Sequence, residues 1–160
     1  MGLFSGCNSS DEALLTREGP LITPKVPSSE SATSFIEKRL FNTHNRSTDC
    51  FNIKVDSCHQ IDSEEEFSAM YVGTARLPEI DFSRYTLLLG SKVYSAGDTD
   101  AENYKLVLSE SEDCYHLDIH TRHLEDGEWA VVCITPLELF YYGIYPKLEK
   151  KKIVTKLIYE

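Results

Sequence analysis

The chain has no uninterrupted stretch of about 18 apolar residues, so no segment reads as a membrane-crossing helix. Basic side chains are scarce: sixteen Lys and Arg stand against twenty-six Asp and Glu, a net charge of −10. That balance argues against nucleic acid or an anionic membrane face as the main partner. Glycine is sparse too, eight residues in 160, and none of it builds a phosphate-cradling loop or a dinucleotide fingerprint. No Gly-x-Ser-x-Gly elbow presents a nucleophile, and no cysteine lies in a setting that lowers its pKa. Carboxylates are many, yet no pair is marked as a tuned acid and base. The five cysteines match neither a zinc ribbon nor a CxxC pair. The sequence therefore nominates no catalytic residue and no cofactor, and it reads as a non-enzyme.

What is present is enough chain for one domain, with 41% hydrophobic and 11% aromatic residues to build a core. Its first residues are the most telling. Leu3-Phe4-Ser5-Gly6-Cys7 reads as the tail of a bacterial lipoprotein signal. The small Ser5 and Gly6 admit the peptide to the signal peptidase, and the Cys7 thiol accepts the diacylglyceryl group. The charged and apolar regions that normally come before are not among these residues, so 1–7 is read as a remnant of such a signal. N-myristoylation fits less well, because Gly6 stands where a Ser or Thr is wanted. Residues 8–34, with Pro20, Pro24, Pro27 and several serines, have no sustained apolar period and read as a flexible tether. Residues 35–160 are then a single β-rich domain. These readings place the protein in the bacterial outer membrane or periplasm, touching the membrane by its lipid alone.

Setting Cys7 aside, Cys50, Cys58, Cys114 and Cys133 are an even set that can form two disulfides outside the cytoplasm. If residues 50–58 are one extended strand, its ends lie about 26 Å apart at about 3.3 Å per residue, too far for a bridge. A bridge from either would then reach to Cys114 or Cys133. Buried free thiols are the alternative.

The body is expected to be α+β and mostly β, an antiparallel curled sheet or β-sandwich of six to seven strands with one short helix. Phe51, Ile53 and Val55 alternate with polar residues as in a half-buried strand. Ser63 and Glu66 form a capping box for a helix over 64–71, whose acidic first turn suits the helix dipole. Phe67 and Met70 are its inner residues. Thr86 to Gly90 reads as a central strand buried on both faces. Residues 104–109 and 114–122 form a hairpin, and pairing 108 with 115 and 106 with 117 puts Leu106, Leu108, Tyr115, Leu117 and Ile119 on one face. Asp126-Gly127 turns into a strand over 129–135, and 153–159 is the last strand.

Charge is uneven along the chain. Residues 147–160 carry five lysines against two glutamates, a local balance of +3, which leaves −13 for residues 1–146. A lysine cluster just before a strand is either a docking patch for an acidic partner or a solvated turn that guards a sheet edge.

Two candidate sites stand out. In Cys114-Tyr-His116-Leu-Asp118-Ile-His120, alternation puts the four polar side chains on the non-core face of one strand, a weak metal-ligand set or simply an outer polar face. In Phe140-Tyr141-Tyr142-Gly143-Ile144-Tyr145-Pro146, exposed Tyr141, Tyr142 and Tyr145 would offer rigid contact area to a protein or a glycan. The same stretch can instead be a buried loop.

The signal-like start, the serine-containing spacer, Ile61-Asp62-Ser63-x-x-Glu66-Phe67 and Ile80-Asp81-Phe82-Ser83-x-Tyr85-Thr86-Leu87-Leu88-Leu89-Gly90 together resemble small lipoproteins of gut Bacteroidales. The order of strand, helix, Asp-Phe-Ser strand and hairpins over residues 50–135 is also similar to the C-terminal domain of a protease-complex accessory subunit of oral spirochaetes (PrcB type). The chain departs from that domain at Asn103-Tyr104, where a Gly-Gly-Tyr often stands. The resemblance implies a surface or periplasmic accessory protein that binds another protein, and it carries over no catalytic residue. The expected function is thus a non-catalytic binding module for a protein partner in the envelope. The alternative is a glycan- or small-ligand-binding component of a surface nutrient-uptake system.

Overall fold

The structure, a computed structural model, describes residues 21–22, 30–40, 49–94, 99–125 and 137–160. Its elements are β1 (Leu21–Ile22), α1 (Glu30–Glu37), β2 (Cys50–Phe51), β3 (Cys58–Ile61), α2 (Glu64–Met70), β4 (Tyr71–Val72), β5 (Tyr85–Tyr94), β6 (Lys105–Glu110), β7 (Cys114–Thr121), β8 (Leu137–Pro146) and β9 (Lys152–Tyr159). The mostly-β expectation holds. The strands group into sheets of four, two and three, and there is a second short helix beside the expected one.

The chain forms two compact units. A central unit holds Pro24–Val93 and Glu138–Leu148, and a terminal unit holds the N-terminal residues to Thr23, Tyr94–Leu137 and Glu149–Glu160. Within 8–34, Leu21 and Ile22 pair with Ser109 and Leu108, and Ala32 of α1 is fully buried. Composition alone misses this because a two-residue strand has no period to read.

In the central unit, β5 lies between β3 and β8, with β3 antiparallel to it. A strand flanked on both sides and covered on both faces should be continuously apolar. Residues Thr86–Ser91 are all buried, as the Leu87-Leu88-Leu89 run foretold. The core gathers Ile36 and Leu40, Phe51 and Ile53, Phe67, Ile80 and Phe82, Leu87 and Leu89, with Phe140 and Ile144 from β8. Phe51 stacks on Phe67 at 5.6 Å. Helix α2 starts as expected, with Ser63 as N-cap accepting the Glu66 N–H. The return bond comes from one residue earlier than in the usual box: Asp62 N–H donates to Glu66 Oε2 at 2.6 Å.

The expected strand over 51–55 is cut short. β2 is two residues long and pairs with β4, and the chain then turns at Asp56, whose φ of 52° is left-handed. Val55 is 66% exposed at this turn, and a new strand begins at Cys58. The β2–β4 sheet is clasped by Asp49, which accepts from Arg39 Nε at 2.7 Å and from the Tyr71 hydroxyl. The Arg39 guanidinium, itself stacked over Phe35, holds the Asp49 carboxyl below its usual range, with Tyr71 adding to the effect.

In the terminal unit the sheet order is β1-β6-β7-β9. The β6–β7 hairpin pairs Leu108 with Leu117 and Leu106 with Ile119, two residues away from the expected register of Leu108 with Tyr115. Because side chains alternate with period two, this shift leaves the same residues on the same face. β9 runs parallel to β7, from Cys114↔Lys152 to Thr121↔Tyr159. A parallel neighbour requires a long crossover, and the intervening chain supplies β8 to the central unit on the way. The expected strand over 129–135 lies outside the described residues.

Gly90 gives a direct test of packing in the central unit. A Cβ there would collide with the hydroxyl end of Tyr141 and with the backbone carbonyl of Ser57. Gly90→Ala should lower stability by about 1–3 kcal/mol in a urea melt. Tyr141→Phe, which removes only the hydroxyl, should cost less.

Candidate functional site

The Cys114–His120 strand does not present a solvated polar face. β7 is flanked by β6 and β9, and Cys114 is 0%, His116 2% and Asp118 7% exposed. Alternation identified the shared face correctly, but a central strand can be buried on both faces, and this one is. Cys114 Sγ lies 3.5 Å from His116 Nε2, and His120 Nδ1 reaches Glu160 Oε1 at 2.8 Å. Among the described residues no group of three or more His, Cys, Asp or Glu side chains is placed to share a metal ion.

The aromatic stretch is strand β8, and two of its three candidate tyrosines are interior. Tyr141 and Tyr145 are both 0% exposed, and half-buried Tyr142 donates to Glu37 Oε1 at 2.6 Å. Tyr141 lies against Gly90 and Cys58, and burial pushes its pKa well up. The proposed tyrosine platform is therefore withdrawn: a ten-residue strand against β5 buries these rings instead of displaying them.

Cys50 and Cys58 are in no disulfide, so these two members of the expected set do not bridge. The turn at Asp56 breaks the single extended strand that was expected over 50–58. Burial pushes the Cys58 thiol up to about 11, which makes it unreactive at neutral pH. Cys114 is disulfide-bonded. Cys7 and Cys133 lie outside the described residues.

The turn before β3 brings Ser57 and His59 together. Ser57 Oγ lies 3.0 Å from His59 Nε2, which resembles a nucleophile and its base. The pair is used locally instead. Ser57 Oγ donates to Lys54 O at 2.6 Å, and His59 Nε2 accepts the Lys54 N–H at 3.3 Å, so both groups close the turn. Partial burial, with help from the Lys54 charge, lowers the His59 pKa.

One open cleft of about 500 Å³ lies between Asp62–Glu65 and Ile80–Ser83, the two segments that carry the family resemblance. The Asp62 side chain is 18% exposed and takes three donors. These are Thr86 Oγ1 at 2.6 Å, Gln60 Nε2 at 3.0 Å and Lys147 Nζ at 3.2 Å. Lys147 Nζ also donates to Phe82 O at 2.7 Å and Asp62 O at 3.2 Å. Ser83 donates from both N and Oγ to Asp81, which lowers the Asp81 pKa. The polar groups of both segments thus hold the local fold: a helix cap, an Asx turn and an ammonium bound by oxygens. Sequence reading missed Lys147, because nothing local ties it to an aspartate 85 positions earlier.

The remaining feature is the edge of the terminal sheet. β9 is bonded to β7 on one side, and among the described residues no strand pairs with its other side. Residues 153–158 are all half-buried, on both faces. Of the C-terminal lysines, Lys147 is held by Asp62, while Lys151 donates to Glu110 Oε1 at 2.7 Å and lies over the Tyr115 ring. Glu110 raises the Lys151 pKa. Lys152 and Lys156 are on β9 itself, and among the described residues neither is in an ion pair. Comparison with family models, with curated proteins and with solved structures returned no match.

Two outcomes follow from these contacts. Asp62→Ala strands Thr86, Gln60 and Lys147 and should cost about 1–3 kcal/mol in chemical denaturation. Asp62→Asn, which keeps an acceptor for Thr86, should cost less. Because the folded pKa of His59 lies below its unfolded value, the native state binds fewer protons. Its contribution is therefore present above the unfolded histidine range and is lost as pH falls through it. His59→Gln should shrink the fall in Tm between pH 7.5 and pH 5.0, as read by circular dichroism.

Proposed function

We propose that this chain is a non-catalytic binding module that takes a protein partner at β9. It serves as an accessory protein of the bacterial envelope, held there by acyl chains on Cys7. The observation that carries the binding reading is the eight-residue strand β9, whose exposed Lys152 is in no ion pair among the described residues. An exposed cation on a rigid strand gives an acidic protein surface a fixed point of contact. The envelope location is supported by Ser5-Gly6-Cys7, by the resemblance to small lipoproteins, and by the disulfide at Cys114, which favours an oxidising compartment. Burial of Tyr141 and Tyr145 removes the tyrosine platform that could have served a protein or a glycan alike.

A photo-reactive amino acid placed at Lys152 of the full-length gene product should yield a discrete protein adduct in cells. The same group at exposed Glu64 should not. Adducts from both positions, from neither, or only to glycan would count against the proposal. Mass spectrometry of the membrane-associated protein should find the diacylglyceryl group on Cys7, and an unmodified thiol there would remove the anchor.

A further inference from the structure

We infer that the turn over Lys54–Asp56 is a pH-responsive catch, closed by neutral His59 and opened when that ring takes up a proton. The turn hangs between two fixed points. On one side buried Ile53 belongs to the core. On the other, Ser57 O accepts the Ser91 N–H at 2.9 Å and Cys58 pairs with Gly90 of β5. Between them Lys54, Val55 and Asp56 are all exposed, and Asp56 is left-handed, a conformation an aspartate keeps when local hydrogen bonds support it. Asp56 N–H donates to Ser91 Oγ at 2.9 Å. Lys54 is tied through its own backbone. Its C=O accepts from Ser57 Oγ at 2.6 Å, and its N–H donates to His59 Nε2 at 3.3 Å. A backbone amide can only donate, so Nε2 holds a lone pair and the neutral ring carries its proton on Nδ1.

Protonation reverses the contact. Nε2 becomes a donor, and the Lys54 N–H loses its acceptor. The new Nε2–H faces Ser57 Oγ at 3.0 Å, which can accept it while still donating to Lys54 O. The ring therefore keeps its place on β3 while the amide is released. The charged groups around the turn are Lys54 and Asp56 within it, Lys92 of β5 and Glu138 of β8. Asp56 takes Lys92 Nζ at 3.6 Å and the Val93 N–H at 3.2 Å, and Glu138 accepts from Ser91 Oγ at 3.0 Å. Partial burial of the ring disfavours its charged form, and the Lys54 charge adds to this. The catch accordingly opens below the ordinary histidine range. The released stretch carries Val55, 66% exposed, so acid alters the surface at this corner of the central unit.

The test is nuclear magnetic resonance on the full chain labelled with heavy nitrogen. At pH 7.5, long-range proton–nitrogen spectra should show His59 with Nε2 unprotonated. As pH falls to 5.0, exchange of the Lys54 amide, corrected for its intrinsic pH dependence, should rise about five-fold, as for the loss of one hydrogen bond. The rise should follow the titration of the ring, while the Ser91 amide stays protected. Lys54→Gln keeps the backbone amide and removes the charge, so the same rise should come at a higher pH. His59→Gln, with thermal melting to confirm folding, should abolish the pH dependence, and if it does not fold Lys54→Gln decides alone. A neutral ring with its proton on Nε2, or a Lys54 amide whose exchange ignores the titration of the ring, overturns the inference.

Discussion

The carboxylate of Asp62 is the tie on which the central unit depends. It follows the last residue of β3, and its backbone N–H is bound by Glu66 of α2. Its oxygens accept from Thr86 of β5, Gln60 of β3 and the Lys147 ammonium just beyond β8. Thr86 passes the connection on, since its hydroxyl oxygen accepts the Leu148 N–H. β3, β5 and the chain just beyond β8 therefore meet at the Asp62 carboxylate, while the backbone N–H of the same residue ties in the helix. With an 18%-exposed side chain such a carboxylate is costly to bury alone, and the three donors are what make the position tenable.

The same economy explains why conspicuous polar motifs in this chain do not amount to chemistry. Ser63 and Glu66 cap a helix, Asp81 and Ser83 close a turn, and Ser57 and His59 bind the backbone of Lys54. Each is occupied by a neighbour within a few residues. Lys152 and Lys156 differ, because among the described residues neither is in an ion pair, although Asp118 lies across from Lys156 on β7. That is why the proposed binding function settles on β9 and not on the cleft.

Much of the local structure was legible in the sequence. The Ser63–Glu66 spacing announced the start of α2, the triple leucine announced a doubly covered strand, and the alternation around Leu106–Ile119 announced a face that survived a two-residue change of register. What misled was the step from periodicity to exposure. Period-two alternation in Cys114–His120 says which side chains share a face, and it cannot say whether that face is wet. His116 at 2% exposure is buried because β7 is flanked by β6 and β9, both distant in sequence from the motif's own pattern. The tyrosines of β8 misled for the same reason.

Local spacing thus determined the helix cap, the strand periods, the lysine-rich end and the lipoprotein-like start, because each depends on residues within a few positions of one another. Tertiary structure alone decided the rest. It split the chain into two units, joined Lys147 to Asp62 across 85 positions and set β9 parallel to β7. Those outcomes follow from which distant segments pack together, and pairing across such separations is governed by the burial of whole faces and not by any short pattern in the chain.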